Sequence, residues 1–125
     1  MTNNFLLYIG SVLIFLWGVA HIIPTKSVVQ NFGEISRDNK RIITMEWIAE
    51  GLMLVFIGML VFFVTVLGEN KSVTAIFVFL VSAVTLFILA LVSFFTGART
   101  SITPMKLCPY IKILCGVLIL IGSLQ

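Results

Sequence analysis

Two carboxylates, Glu46 and Glu50, stand one helical turn apart in Glu46-Trp47-Ile48-Ala49-Glu50, where a long apolar run begins. Charge inside hydrocarbon is costly, so an ionisable group placed there marks a functional site by default. Four further residues belong to the same inventory. His21, the only histidine, closes another apolar run just before Pro24, and Arg99 and Lys112 supply cations at comparable depth in the later runs. Trp17 and Trp47, the only tryptophans, flank this group. Two Glu against Arg99 and Lys112 balance in charge. These four, with His21 and with Trp17 or Trp47 as walls, are expected to form a polar chamber open to the cytoplasm.

Such a set would bind a ligand, ion or proton, or shuttle a proton between carboxylate and imidazole. His21, Glu46 and Glu50 are also ligand types that suit zinc or iron. Their spacing is right along one helix only, so neither a metal nor another cofactor is assigned, and no residue is named as catalytic. Two plainer readings stand beside the chamber. Glu50 is a purely structural pair in one, and in the other Arg99 and Lys112 simply snorkel to the headgroups as topology residues. The chain has no Gly-rich phosphate loop, no nucleophile elbow, and no kinase or protease signature.

The elements that must hold these groups follow from composition. Of 125 residues 60% are hydrophobic and 10% charged, and mean hydropathy is +1.18. A soluble domain is nearer one quarter charged, and one this small cannot hide so much apolar surface. Four apolar runs are each long enough, or nearly so, to cross about 30 Å of hydrocarbon. The spans are placed at about 5–23, 45–67, 73–96 and 104–124. Unbroken runs exclude the alternating pattern of an outer-membrane barrel. The predicted fold is all-α: an integral membrane four-helix bundle, one domain over 1–125, with a short amphipathic interfacial helix between the first and second spans.

Seven of the eight Lys and Arg fall in or beside the first and third connections, and only Lys71 lies in the second. By the positive-inside rule those two loops are cytoplasmic and both termini outside, in a multi-pass cell-membrane protein. The first run lacks a basic head and a small-x-small cleavage site, so it is read as a retained span rather than a signal peptide. The net charge of +3 is explained by topology and implies no nucleic-acid partner.

Local signals refine this layout. Gly10, Ile14, Trp17, Gly18 and His21 make one helical stripe, expected to face other helices. Ser27-Val28-Val29-Gln30 has the form of a capping box for the interfacial helix, and Gly33 that of its terminator. Ser36 should cap a helix running unbroken to Leu67, with Asp38 in its first turn. Thr85, Leu89, Ser93, Thr96 and Arg99 form a small-polar stripe predicted to turn Arg99 inward. Thr103-Pro104 resembles a cap with proline at the first position, and Pro109 should kink or restart the last helix. Cys108, Lys112, Cys115 and Ile119 share a face. The cysteines, about 10 Å apart by helical rise, are packing residues rather than a disulfide.

Three function classes remain. The first is a binding or translocation module with its carboxylate site at the cytoplasmic end, the class the residues favour. The others are a membrane enzyme doing acid/base chemistry on a lipid-soluble substrate, and a structural or accessory subunit. The expected partners are the bilayer, a homo-oligomer or membrane complex, and a small lipophilic ligand.

Overall fold

The computed structural model describes residues 4–68 and 71–125. The remaining residues, 1–3 and 69–70, lie outside this range, and with them Glu69 and Asn70 of the second connection. Helix α1 covers Asn4–Ile22, α2 Thr25–Gln30, α3 Arg37–Leu67, α4 Val73–Phe95 and α5 Thr103–Leu124, with a 3-10 turn at Gly97–Arg99 before α5. Four of these are long and apolar enough to cross a membrane, with the short α2 between the first two, and no strand occurs among the described residues. Each begins or ends within a residue or two of its predicted span, except α3, which projects beyond it as the missing Gly and Pro led one to expect.

The caps explain most boundaries. Ser36 Oγ accepts from the Asn39 amide at 3.1 Å, and Ser72 Oγ from the Ala75 amide at 3.2 Å, each satisfying a donor at a helix start. Gly33 adopts φ +72°, the left-handed conformation that ends the α2 segment without a Cβ clash. Two local motifs do not act as predicted. The α2 helix starts at Thr25, immediately after Pro24, so Ser27 lies inside it and caps nothing. Proline's fixed φ provides the helical start three residues earlier than the capping box would. Likewise Ile102, not Thr103, occupies the cap of α5. That helix then runs unbroken through Pro109, whose ring is buried, rather than restarting there.

Lipid offers no hydrophobic force between helices, so close contact must come from small residues and van der Waals packing. Ser11 and Gly18 of α1 meet Gly58 and Gly51 of α3, each pair seven residues apart on antiparallel helices. A Cβ on Gly18 would stand 2.7 Å from the Val55 amide nitrogen, and one on Gly58 would stand 2.7 Å from the Ser11 carbonyl. The predicted α1 stripe is accordingly shared: Gly18 turns to α3, as does Ser11 outside the stripe, while Gly10 meets Cys115, Leu118 and Ile119 of α5. Helix α4 leans on α5, where the Phe87 ring covers Gly116. The core comprises Leu7, Ile14, Leu54, Val61, Phe79, Leu86 and Ile119, while Leu52, Phe56, Ile88, Leu91 and Ile121 point outward as lipid-facing side chains do. Buried Ser11 and Thr65 return their hydroxyls to the Tyr8 and Val61 carbonyls, so both donors are satisfied within their own helices.

The bundle is closed unevenly. Helix α1 packs along both α3 and α5, and α5 along α4, but α3 and α4 scarcely touch. A seam therefore runs between α3 and α4, and the polar residues lie at one end of it.

Candidate functional site

Four helices deliver one side chain each to the same spot. His21 comes from the last turn of α1, Glu50 from within α3, Ser93 from the end of α4 and Lys112 from the buried face of α5. Lys112 Nζ donates to Glu50 Oε1 in a direct ion pair and to Ser93 Oγ at 2.6 Å. His21 Nε2 stands 3.7 Å from Glu50 Oε2, too far for a hydrogen bond but near enough to feel its charge. His21 lies about 26 Å by helical rise from the far end of α1, which places the cluster near one membrane boundary.

Burial is distributed in an unusual sense. A lysine close to a boundary ordinarily extends its long stem and keeps the ammonium in water. Here Lys112 is fully enclosed, whereas the Glu50 side chain is 33% exposed. The ammonium is sealed behind the carboxylate because α5 turns Cys108, Lys112, Cys115 and Ile119 to one buried face. Snorkelling is excluded for this residue.

Trp47 fixes His21 twice. Its ring stacks on the imidazole, with centroids 4.1 Å apart and planes inclined by 13°. Its Nε1 also donates to the His21 main-chain carbonyl at 2.7 Å, satisfying one of the acceptors left free at the end of α1. The imidazole is held rigidly as a result, its side chain 6% exposed and its Nε2 without a hydrogen-bond partner.

The cluster opens on a cleft of about 560 Å³ at the α3–α4 seam. Glu46, Trp47, Glu50 and Met53 line one side of it, Leu89, Val92, Ser93 and Thr96 the other, and Met105 and Cys108 the floor. On the other side of the His21–Trp47 stack lies a more apolar cavity of about 510 Å³, bounded by Trp17, Val28, Pro104 and Leu107. The two share His21, Trp47, Met105 and Cys108, so the stacked rings are the partition between them.

Of the residues singled out in the sequence, His21, Trp47, Glu50 and Lys112 are brought together. Glu46 lines the same cleft one turn nearer the boundary, exposed and without an ion pair. Trp17 walls the neighbouring cavity, its Nε1 buried and unpartnered. Arg99 is not directed inward. The helical stripe that pointed it there stops at Phe95, and the 3-10 turn after Thr96 carries the guanidinium outward, 5.5 Å over the Phe95 ring. Ser93 was foreseen only as a small helix-contact residue, although its place one helical turn before Thr96 put it at the depth of Lys112. Among the described residues no three His, Cys, Asp or Glu side chains converge closely enough to hold a metal ion.

The chemistry of this arrangement is acid/base and ionic: one compensated pair, one rigid imidazole and a second carboxylate, facing a cleft that opens sideways. Fold and site together define a four-span helical membrane protein with a lateral, carboxylate-lined cleft at one end. Compared with known proteins, the chain matches no family model, no curated protein and no solved structure.

Proposed function

We propose that this protein is a membrane binding or translocation module that admits a small lipophilic molecule between α3 and α4 and holds its polar end beside Glu50. The supporting observation is the inverted exposure of the ion pair. A pair serving only to lock helices together needs no open cleft in front of its carboxylate, and a topology lysine gains from reaching water. Neither accounts for an enclosed Lys112 behind a Glu50 that fronts an open cleft of about 560 Å³. That volume lies within the range usual for small-molecule sites. The thin α3–α4 contact supplies a route from the bilayer without passage through water.

The site end carries Lys26, Arg37, Lys40, Arg41, Arg99 and Lys106 in its connections, so the cleft sits at the cytoplasmic leaflet with both termini outside. A direct test is to purify the protein in native lipid particles, extract it and compare the extract with bulk membrane lipid by mass spectrometry. A lipophilic compound should be enriched with the native chain and lost from a Glu50→Gln/Lys112→Met variant that keeps its fold. Extracts identical to bulk lipid would overturn the proposal.

One observation favours the enzyme reading as second. His21 Nε2 lacks a partner 3.7 Å from a carboxylate oxygen, as a proton-transfer pair would before substrate arrives. Cells lacking the protein would then accumulate a lipid-soluble precursor. Unchanged lipids with altered solute flux would sink that alternative.

A further inference from the structure

The cleft is selective by the kind of groups it leaves free. No Lys or Arg lines it. Lys112, the nearest cation, is enclosed and already committed to Glu50 and Ser93. Arg99 is held over Phe95, and Arg37, Lys40 and Arg41 border a separate groove with Thr44 and Met45. The neutral donors are few: Trp47 Nε1 is bonded to the His21 carbonyl and Thr96 Oγ1 to the Val92 carbonyl, while Ser93 Oγ, which accepts from Lys112, offers a single hydroxyl proton. Against that one proton the cleft presents the carboxylates of Glu46 and Glu50, one turn apart on α3, with the unpartnered imidazole of His21 beside them. His21 Nε2, buried and without a partner, stands 3.7 Å from Glu50 Oε2 at the inner wall of the cleft.

The seam also continues past this cleft. Beyond Met53 it becomes a second groove of about 500 Å³, between Phe56, Leu60 and Val64 of α3 and Ala75 and Val78 of α4. Head and tail are thus offered different surfaces along one line.

Resting on the binding reading above, we propose that the ligand is a cationic amphiphile: an ammonium or protonated amine seated between Glu46, Glu50 and His21, on a hydrocarbon body laid along the α3–α4 seam. An anionic head is disfavoured because it would meet two carboxylates and no accessible cation. An alcohol offers a single donor and no charge.

The test uses three probes with the same tail, dodecylammonium, dodecanol and dodecanoate, added to the full chain in phosphatidylcholine vesicles. Protein-free vesicles serve as the blank, and tryptophan fluorescence of a Trp17→Phe background reports on Trp47. The ammonium should bind at least about tenfold more tightly than either other probe, a difference within reach of one unscreened charge contact. The exposed Glu46 can be changed without disturbing the packing, so Glu46→Gln should remove most of the preference for dodecylammonium over dodecanol. Equal or tighter binding of dodecanol or dodecanoate would overturn the cationic head and leave the cleft standing. Binding of none of the three above the blank would overturn the cleft reading itself.

Discussion

Removing either partner of the Glu50–Lys112 pair should cost very different amounts, and removing both should cost little. In Glu50→Gln the ammonium of Lys112 stays fully enclosed with only neutral acceptors, Ser93 Oγ and the new amide oxygen, and no counter-charge. Leaving one half of a buried pair uncompensated costs about 3–5 kcal/mol. In Lys112→Met the orphaned carboxylate is already 33% exposed to the cleft and can turn toward it. The cost there should be smaller, about 1–3 kcal/mol. The double variant keeps volume and leaves no uncompensated charge, and such replacements are often close to neutral. A pair in contact at an effective dielectric of about 20 interacts by about 4 kcal/mol. The coupling energy from the full cycle, the two single costs less that of the double variant, should therefore be about 4 kcal/mol or more, above the usual range for touching residues. Equilibrium unfolding in mixed micelles of dodecyl maltoside and dodecyl sulfate measures all four proteins. Additive single effects, with coupling below about 0.5 kcal/mol, would mean the two charges are solvated independently, and the inverted-exposure reasoning would fail.

Three further outcomes follow from the packing and the charge layout. Gly18→Val should destabilise the α1–α3 contact by about 1–3 kcal/mol in the same unfolding assay, since its Cβ meets main-chain atoms at 2.7 and 2.8 Å rather than a movable side chain. Trp47→Phe removes the 2.7 Å bond to the His21 carbonyl while retaining a ring, and should cost about 1 kcal/mol and release the imidazole, read as altered histidine ring resonances by NMR. With Cys108 and Cys115 replaced by alanine, an impermeant maleimide should label a cysteine at Lys71 in intact cells and spare one at Asn39. Labelling at Asn39 alone would reverse the orientation.

Depth was legible in the sequence, and direction around the bundle was not. Hydropathy placed all four spanning helices, and the lack of Gly or Pro between Ser36 and Gly51 announced the overhang of α3. Glu50 and Lys112 could be matched because both lie a few turns inside their runs. Arg99 lay at a plausible depth too, yet projecting a helical stripe through Thr96-Gly97 assumes a helix that stops at Phe95. Gly97 was the available signal against it. At Pro109 the local rule lost to context: α5 keeps its course because the proline itself is packed in the interior. Ser27 lost to Pro24 for a different reason, since the proline fixes a helical start before the serine is reached.

The open seam has a cause that can be traced to residue size. Close helix contact inside lipid needs small side chains opposite one another, and α1 and α3 have them in Ser11, Gly18, Gly51 and Gly58, as α5 has Gly116 under Phe87. The α3 wall of the seam offers Met53, Phe56, Leu60 and Val64, and no described glycine of α3 or α4 brings those two helices together. Bulk along that wall keeps α3 from closing on α4, and the carboxylates at its end face the opening that results. If this is the cause, replacing Leu60 by glycine should let the helices approach and narrow the apolar groove without touching the ion pair. Distances between spin labels on α3 and α4 would report it. A shortened α3–α4 distance with weaker lipophile binding is the expected result. An unchanged distance would mean that packing on α1 and α5, rather than side-chain bulk at the seam, holds the two helices apart.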